Sequence, residues 1–148
     1  MPTIDLTHDT FEPAIEEQDI LLVDWWASWC GPCQQFAPVY EAASDQHLDV
    51  TFASVSTETE PELAAAAGIR SIPTLMAFRE GVLVFSKAGA LPAPALEELI
   101  TAVRALDMAE VHRKVAQQEA QQEAQQKAQQ EAQQEAQQQA QQQAQQQQ

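Results

Sequence analysis

The chain has 148 residues and a formal net charge of −15 at pH 7, and its composition divides near residue 115. Every aromatic, proline, glycine and cysteine lies before that point, with 18 acidic and 6 basic residues; the remainder is Ala, Gln, four Glu and Lys127. A folded part this acidic repels polyanions, which excludes nucleic acid and anionic membrane surfaces as partners, and the length suits one modest domain.

Thr3-Ile4-Asp5-Leu6 alternates and reads as an edge strand. Asp9 and Glu12 read as a capping pair for a short helix whose apolar face is Phe11, Ala14 and Ile15, with Pro13 in its first turn. Ile20 to Ala27 is apolar except for Asp24, the pattern of a central strand covered on both faces. That run is too short to span a bilayer. The next helix extends to about residue 46 and contains Pro38, a source of a kink. Asp49 to Ser56 alternates and is rich in β-branched residues, which predicts a strand.

Thr59-x-x-Glu62 with Pro61 predicts a helix start, Leu63 to Ala67 the short helix, and Gly68 its end. Thr74 to Arg79 and Val82 to Lys87, joined by Glu80-Gly81, read as a hairpin. A last helix begins near Pro94 and carries Leu96, Leu99, Ile100 and Val103 at helical spacing. The order β-α-β-α-β-α-β-β-α gives an α/β fold. Its central mixed sheet has parallel strands, then a closing hairpin, with helices on both faces.

The only two cysteines share one pentapeptide, Trp29-Cys30-Gly31-Pro32-Cys33. C-x-x-C spacing lets two sulfurs meet across one helical turn and exchange a disulfide with little backbone movement. A zinc half-site and an inert bridge are the alternatives. Structural zinc takes four protein ligands, and here the further candidates are His8, His47, His112 and scattered carboxylates, with no second C-x-x-C. The pair reads as a redox motif. The first residues lack a basic n-region and an apolar h-region, so a cytoplasmic location is expected, where thiols stay reduced.

Asp24-Trp25-Trp26-Ala27-Ser28-Trp29-Cys30-Gly31-Pro32-Cys33 resembles the active-site strand and loop of the thioredoxin family. Ala37-Pro38 resembles the kink of that family's active-site helix, Gly68-Ile69-Arg70-Ser71-Ile72-Pro73-Thr74 its cis-proline loop, and Lys87-Ala88-Gly89-Ala90 the end of its substrate groove. The resemblance covers roughly residues 3 to 106. It implies a thioredoxin fold and a protein-disulfide reductase with no bound cofactor.

In that reading Cys30 attacks a substrate disulfide, and the more buried Cys33 resolves the mixed disulfide. Asp24 would be a buried carboxylate of raised pKa that moves the proton of Cys33. Trp29, Gly31, Pro32, Ile72, Pro73, Gly89 and Ala90 would meet the substrate, Pro73 through a cis bond that presents the Ile72 backbone. Trp29 would act as a lid, and Trp25 and Trp26 as packing. Electrons would come from NADPH through thioredoxin reductase. The Gly-Pro spacer resembles the reducing members, whose potential is about −270 mV; isomerases and periplasmic oxidases carry histidine there. Two positions depart from the family pattern: Ser54 and Gln34 stand where lysines are common. Removing these charges is expected to raise the pKa of Asp24 further and to favour the Cys30 thiolate less.

From Ala116 the chain repeats Ala-Gln-Gln-Glu, and nothing from residue 95 onward breaks a helix, which predicts one helix from Pro94 to the terminus, about 80 Å long. A period of four drifts about 40° per repeat, so no heptad seam forms. The expected division is a thioredoxin domain over 1–106 and a helical or low-complexity Gln-rich extension over 107–148. The extension reads as a fraying helix, a disordered tract, or a module for self-association or partner binding. A monomer is expected, with tail-mediated association as the variant. The rival to the reductase is a redox-regulated adaptor or holdase that recruits clients through this tail.

Overall fold

The elements follow the predicted order in a computed structural model that describes residues 3–147; Met1, Pro2 and Gln148, which end the two expected segments, lie outside the described residues. They are β1 (Ile4–Asp5), α1 (Phe11–Glu17), β2 (Ile20–Trp26), α2 (Gly31–Gln46), β3 (Thr51–Ser56), α3 (Pro61–Ala66), β4 (Thr74–Arg79), β5 (Val82–Ala88), α4 (Ala93–Arg104) and α5 (Met108–Gln146). The described elements form one five-stranded sheet in the order β1-β3-β2-β4-β5. β1, β3 and β2 run parallel, and β4 and β5 are antiparallel to their neighbours.

The two-residue period of β2 divides the core. Leu21, Val23 and Trp25 pack on one face with Phe11 and Ala14 of α1, Ala64 of α3, and Ala53 and Val55 of β3. Ile20 and Leu22 pack on the other with Phe36, Tyr40 and Ala43 of α2, and with Leu96, Leu99, Ile100 and Val103 of α4. Asp24 has the parity of Ile20 and Leu22, so its side chain falls on the α2 face. Ser54 has the parity of Phe52 and lies on that face too, paired in register with Asp24 on one side and Asp5 on the other.

Helix starts depart from the predicted caps. Thr10, not Asp9, is the residue before α1; its hydroxyl accepts the Thr7 N–H at 2.8 Å and makes no cap bond. α3 begins at Pro61 behind Glu60, while the Thr59 hydroxyl turns to the Ser56 carbonyl. Proline at the first helical position fixes that start, since it has no N–H to satisfy. α3 ends as predicted at Gly68, which has φ +73°. Its N–H bonds the Ala65 carbonyl and the Ile69 N–H bonds that of Ala64, a Schellman closure. α2 continues through Pro38.

The single helix predicted from Pro94 to the terminus is two helices. Arg79 Nη1 donates to the carbonyls of Val103, Arg104 and Leu106 at 2.7, 2.9 and 3.1 Å. Those carbonyls would otherwise receive the N–H groups that continue α4. Asp107 then caps a new helix, its carboxylate accepting the Glu110 N–H at 3.2 Å. The chain divides into compact units of residues 1–106 and 107–148. In the second, α5 spans 39 residues with almost all of its side chains exposed, and Lys114 pairs with Glu110 one turn away. Among the described residues no helix is long and apolar enough to cross a membrane.

Replacing Arg79 with alanine leaves three carbonyls without their charged donor. We expect a loss of about 1–3 kcal/mol, read as a lower midpoint of urea unfolding followed by tryptophan fluorescence.

Candidate active site

β2 delivers the chain to a four-residue turn, Ala27 to Cys30, closed by the Cys30 N–H on the Ala27 carbonyl at 3.3 Å. α2 begins immediately after it, with Cys30 as the capping residue and Pro32 in the first turn. The Cys33 N–H donates to Cys30 Sγ at 3.2 Å, so a sulfur takes the place that a serine or aspartate oxygen takes at other helix starts. The free N–H groups and positive dipole end of α2 favour a thiolate there when the pair is reduced. In this structure Cys30 and Cys33 are disulfide-bonded, with Cα atoms 5.2 Å apart. The two cysteines are equally buried, each 4% exposed, whereas Cys33 was expected to be the more buried of the two. Trp26 and Ile72 pack against the pair together with Ala27 and withdraw both sulfurs from water.

The other wall comes from the loop before β4. Cys30 Sγ lies 3.6 Å from the Ile72 carbonyl oxygen, and the Ile72–Pro73 bond is cis. Pro73 is fully buried, and its carbonyl accepts the Gly89 N–H at 2.8 Å. Gly89 has φ +106°, a conformation glycine adopts without penalty. Cys30, Ile72, Pro73 and Gly89 are thus brought together, with Gly31 and Pro32 at the adjoining helix start and Ala90 exposed beyond Gly89. Trp29 projects outward, 72% exposed. Trp26, which sequence reasoning assigned to packing, lies against the sulfurs as well.

Behind Cys33 is a cavity of about 580 Å³, lined by Cys33, Asp24, Tyr40, Ser54 and Asp5 among others. Asp24 is 5% exposed, and its Oδ1 has no hydrogen-bond partner. Burial without compensation pushes its pKa from 3.8 up to about 7. The Ser54 hydroxyl donates instead to Asp5 Oδ1 at 2.9 Å, and the Tyr40 phenol to the Ala53 carbonyl at 2.8 Å. Burial, and secondarily the Asp24 charge, holds the Tyr40 phenol well above its ordinary range. A carboxyl that burial raises to about 7, in a cavity that Cys33 also lines, is matched to acid–base work. Sequence reasoning did not single out Tyr40, which lies on α2 seven residues beyond Cys33.

Gln34, singled out for the charge it lacks, makes a bond of its own: its side-chain amide donates to the Ser28 carbonyl at 2.9 Å. Glu58 Oε1 accepts from the Ser28 N–H and hydroxyl at 2.5 and 2.7 Å, and these bonds hold its carboxyl below the usual range. No group of three or more His, Cys, Asp or Glu that could hold a metal ion occurs among the described residues.

The thioredoxin family model matches residues 2–102. The chain belongs to the thioredoxin family. A Streptomyces coelicolor protein carrying the name thioredoxin 2 is 50% identical over 117 residues, 79% of this chain and 87% of that one. A thioredoxin of Alicyclobacillus acidocaldarius is 43% identical over 96 residues, covering 64% and 91%. Among solved structures, spinach chloroplast thioredoxin f superposes with a TM-score of 0.65 at 32% identity, covering 70% of this chain and 95% of its own. Plasmodium falciparum thioredoxin gives 0.64 at 31% identity, covering 68% and 98%. The fold is the thioredoxin fold, and the chain is a protein-disulfide oxidoreductase that works by dithiol–disulfide exchange through its Cys30–Cys33 pair.

Asp24 links the redox site to stability. The unfolded chain releases this proton near 3.8 and the folded one near 7, so ionising the buried carboxyl costs stability as pH climbs through that window. The cost is about 4 kcal/mol once complete. Asp24→Asn is expected to gain stability over the parent between pH 4 and pH 8, measured by urea unfolding at both; a constant gap contradicts the assignment. Ser54→Lys places a cation beside Asp24 and is expected to lower its pKa, visible as a downward shift in the same pH dependence.

Proposed function

We propose that the chain works as a reductant of protein disulfides, with Cys30 as the attacking sulfur, Cys33 as the resolving sulfur and Asp24 as the proton acceptor. The observation that carries this reading is the position of Cys30 at the start of α2, with the Cys33 N–H directed at its Sγ. The Cys30 thiolate attacks one sulfur of the substrate disulfide; a Cys30–substrate bond forms and the other substrate sulfur leaves as thiolate. Cys33 gives its proton to Asp24 across the shared cavity and attacks Cys30 Sγ. The Cys30–Cys33 disulfide forms, the second substrate thiolate is released, and two electrons have passed to the substrate. Protons from Asp24 and solvent then neutralise the substrate thiolates.

The shallow surface of Trp29, Gly31, Pro32, Ile72, Gly89 and Ala90 receives an extended substrate segment in this reading, with the buried Pro73 beneath it presenting the Ile72 backbone. Family membership supports recharging by a thioredoxin reductase with electrons from NADPH, in the cytoplasm, with no metal or bound cofactor in the cycle. The domain of residues 1–106 carries the reaction as a monomer, and residues 107–148 are an extension outside it.

Trapping tests the assignment of roles. Cys33→Ser, mixed with a protein disulfide such as insulin, is expected to accumulate a mixed disulfide on Cys30, and Cys30→Ser to form none. Capture by the second variant would reverse the assignment. With NADPH and a bacterial thioredoxin reductase, chains of residues 1–106 and 1–148 should reduce insulin at the same rate; loss of partner capture alone on shortening would favour an adaptor role for the tail.

A further inference from the structure

Three side chains meet in the turn that carries Cys30, and the reaction described above uses none of them. Ser28 is the second residue of the turn. Its N–H belongs to the peptide unit it shares with Ala27, and its carbonyl to the unit it shares with Trp29. Glu58, from the loop between β3 and α3, takes the N–H and the hydroxyl. Gln34, in the first turn of α2, donates to the carbonyl. Two consecutive peptide planes ahead of Trp29 and Cys30 are therefore tied to two different elements, one of them by a charge-assisted bond.

We infer that Glu58 and Gln34 are positioning residues for the exchange reaction, a clamp acting through Ser28 on the place of Cys30 Sγ. In the disulfide state the covalent link to Cys33 already fixes that sulfur. In the dithiol state the link is gone, and the turn alone holds Sγ against the Cys33 N–H and the helix start. The benefit of a helix terminus to an anion fades within its first turn, so a small displacement forfeits part of it. The clamp thus acts on the reduced state: it keeps the thiolate of Cys30 favoured and aimed at an incoming disulfide. The inference rests on Cys30 being the attacking sulfur.

Charge and tether act in opposite directions, which makes the clamp separable from a mere neighbour effect. As a nearby negative charge, Glu58 disfavours the thiolate, and removing it would lower the Cys30 pKa. As a tether, it favours the thiolate, and removing it raises that pKa. Glu58→Gln removes the charge but keeps an oxygen for Ser28, whereas Glu58→Ala removes both.

The experiment is the pH dependence of Cys30 alkylation by iodoacetamide in the reduced full-length chain, with kcat/KM for insulin reduction at pH 7. Glu58→Ala and Gln34→Ala are each expected to raise the apparent Cys30 pKa and to lower kcat/KM by about three- to tenfold, the range of one hydrogen bond. The double variant should fall little further than either single one, because both act on one residue. Glu58→Gln should keep kcat/KM near that of the parent, without a raised pKa. The clamp is overturned by parent-like values in both alanine variants, or by a lowered pKa in Glu58→Ala. Both positions are exposed, and Gln34→Ala provides the same reading should Glu58→Ala unfold. A Cys30→Ser chain that still captures insulin would instead remove the role of Cys30 on which the clamp depends.

Discussion

β2 has a strand on each side and helices over both faces, so every side chain from Ile20 to Trp25 leaves water. For its leucines, valine and Trp25 that withdrawal is the source of the core's stability. For Asp24 it is a penalty, because the carboxylate gives up hydration and gains no hydrogen bond at Oδ1. The same alternation that fills one core with Trp25 sends Asp24 toward α2. A slip of one residue would exchange them and leave Cys33 facing an indole instead of a carboxyl. Strand register, set by hydrophobic burial, is therefore what places an acid–base group in the cavity that Cys33 shares.

Two neighbouring environments then pull ionisable groups in opposite directions. At the start of α2, N–H groups and the helix dipole favour an anion on Cys30. One layer below, an apolar setting favours a neutral Asp24. The hydroxyls that could have solvated that carboxyl are engaged elsewhere, Ser54 with Asp5 and Tyr40 with the Ala53 carbonyl. Groups held apart in this way can divide the work: one stands ready as nucleophile while the other keeps or accepts a proton near neutral pH.

The strands were legible because apolar runs and turn residues mark them out; β4 occupies the residues predicted for the first arm of the hairpin that the Glu80-Gly81 turn joins. Helix ends were less so, since short polar side chains compete for the same donors. The Thr10 hydroxyl serves Thr7, Thr59 turns to Ser56, and neither outcome follows from spacing. The break after α4 depends on Arg79, which lies 24 residues before Val103 in the chain, although Asp107 and Glu110 had the spacing of a helix start. The redox pair was plain in the sequence itself. Its apposition to Pro73 came only through family resemblance, because contacts across about forty residues leave no local pattern. That Trp26 packs against the sulfurs was hidden for a related reason: tryptophans near a turn look alike until the turn's geometry is fixed.

α5 places 39 residues in a helix whose side chains meet mostly solvent. A helix with so little to bury is held by its own hydrogen bonds and the propensities of Ala, Gln and Glu, and such helices shorten gradually from their ends on warming. The domain over residues 1–106 has two packed cores and is built to melt in one cooperative step. Far-ultraviolet dichroism of the whole chain would therefore superpose a slope on a transition. For this protein, helix content and folded fraction are different quantities, and the cooperative peak of a calorimetric scan would describe the domain while a dichroism signal describes both.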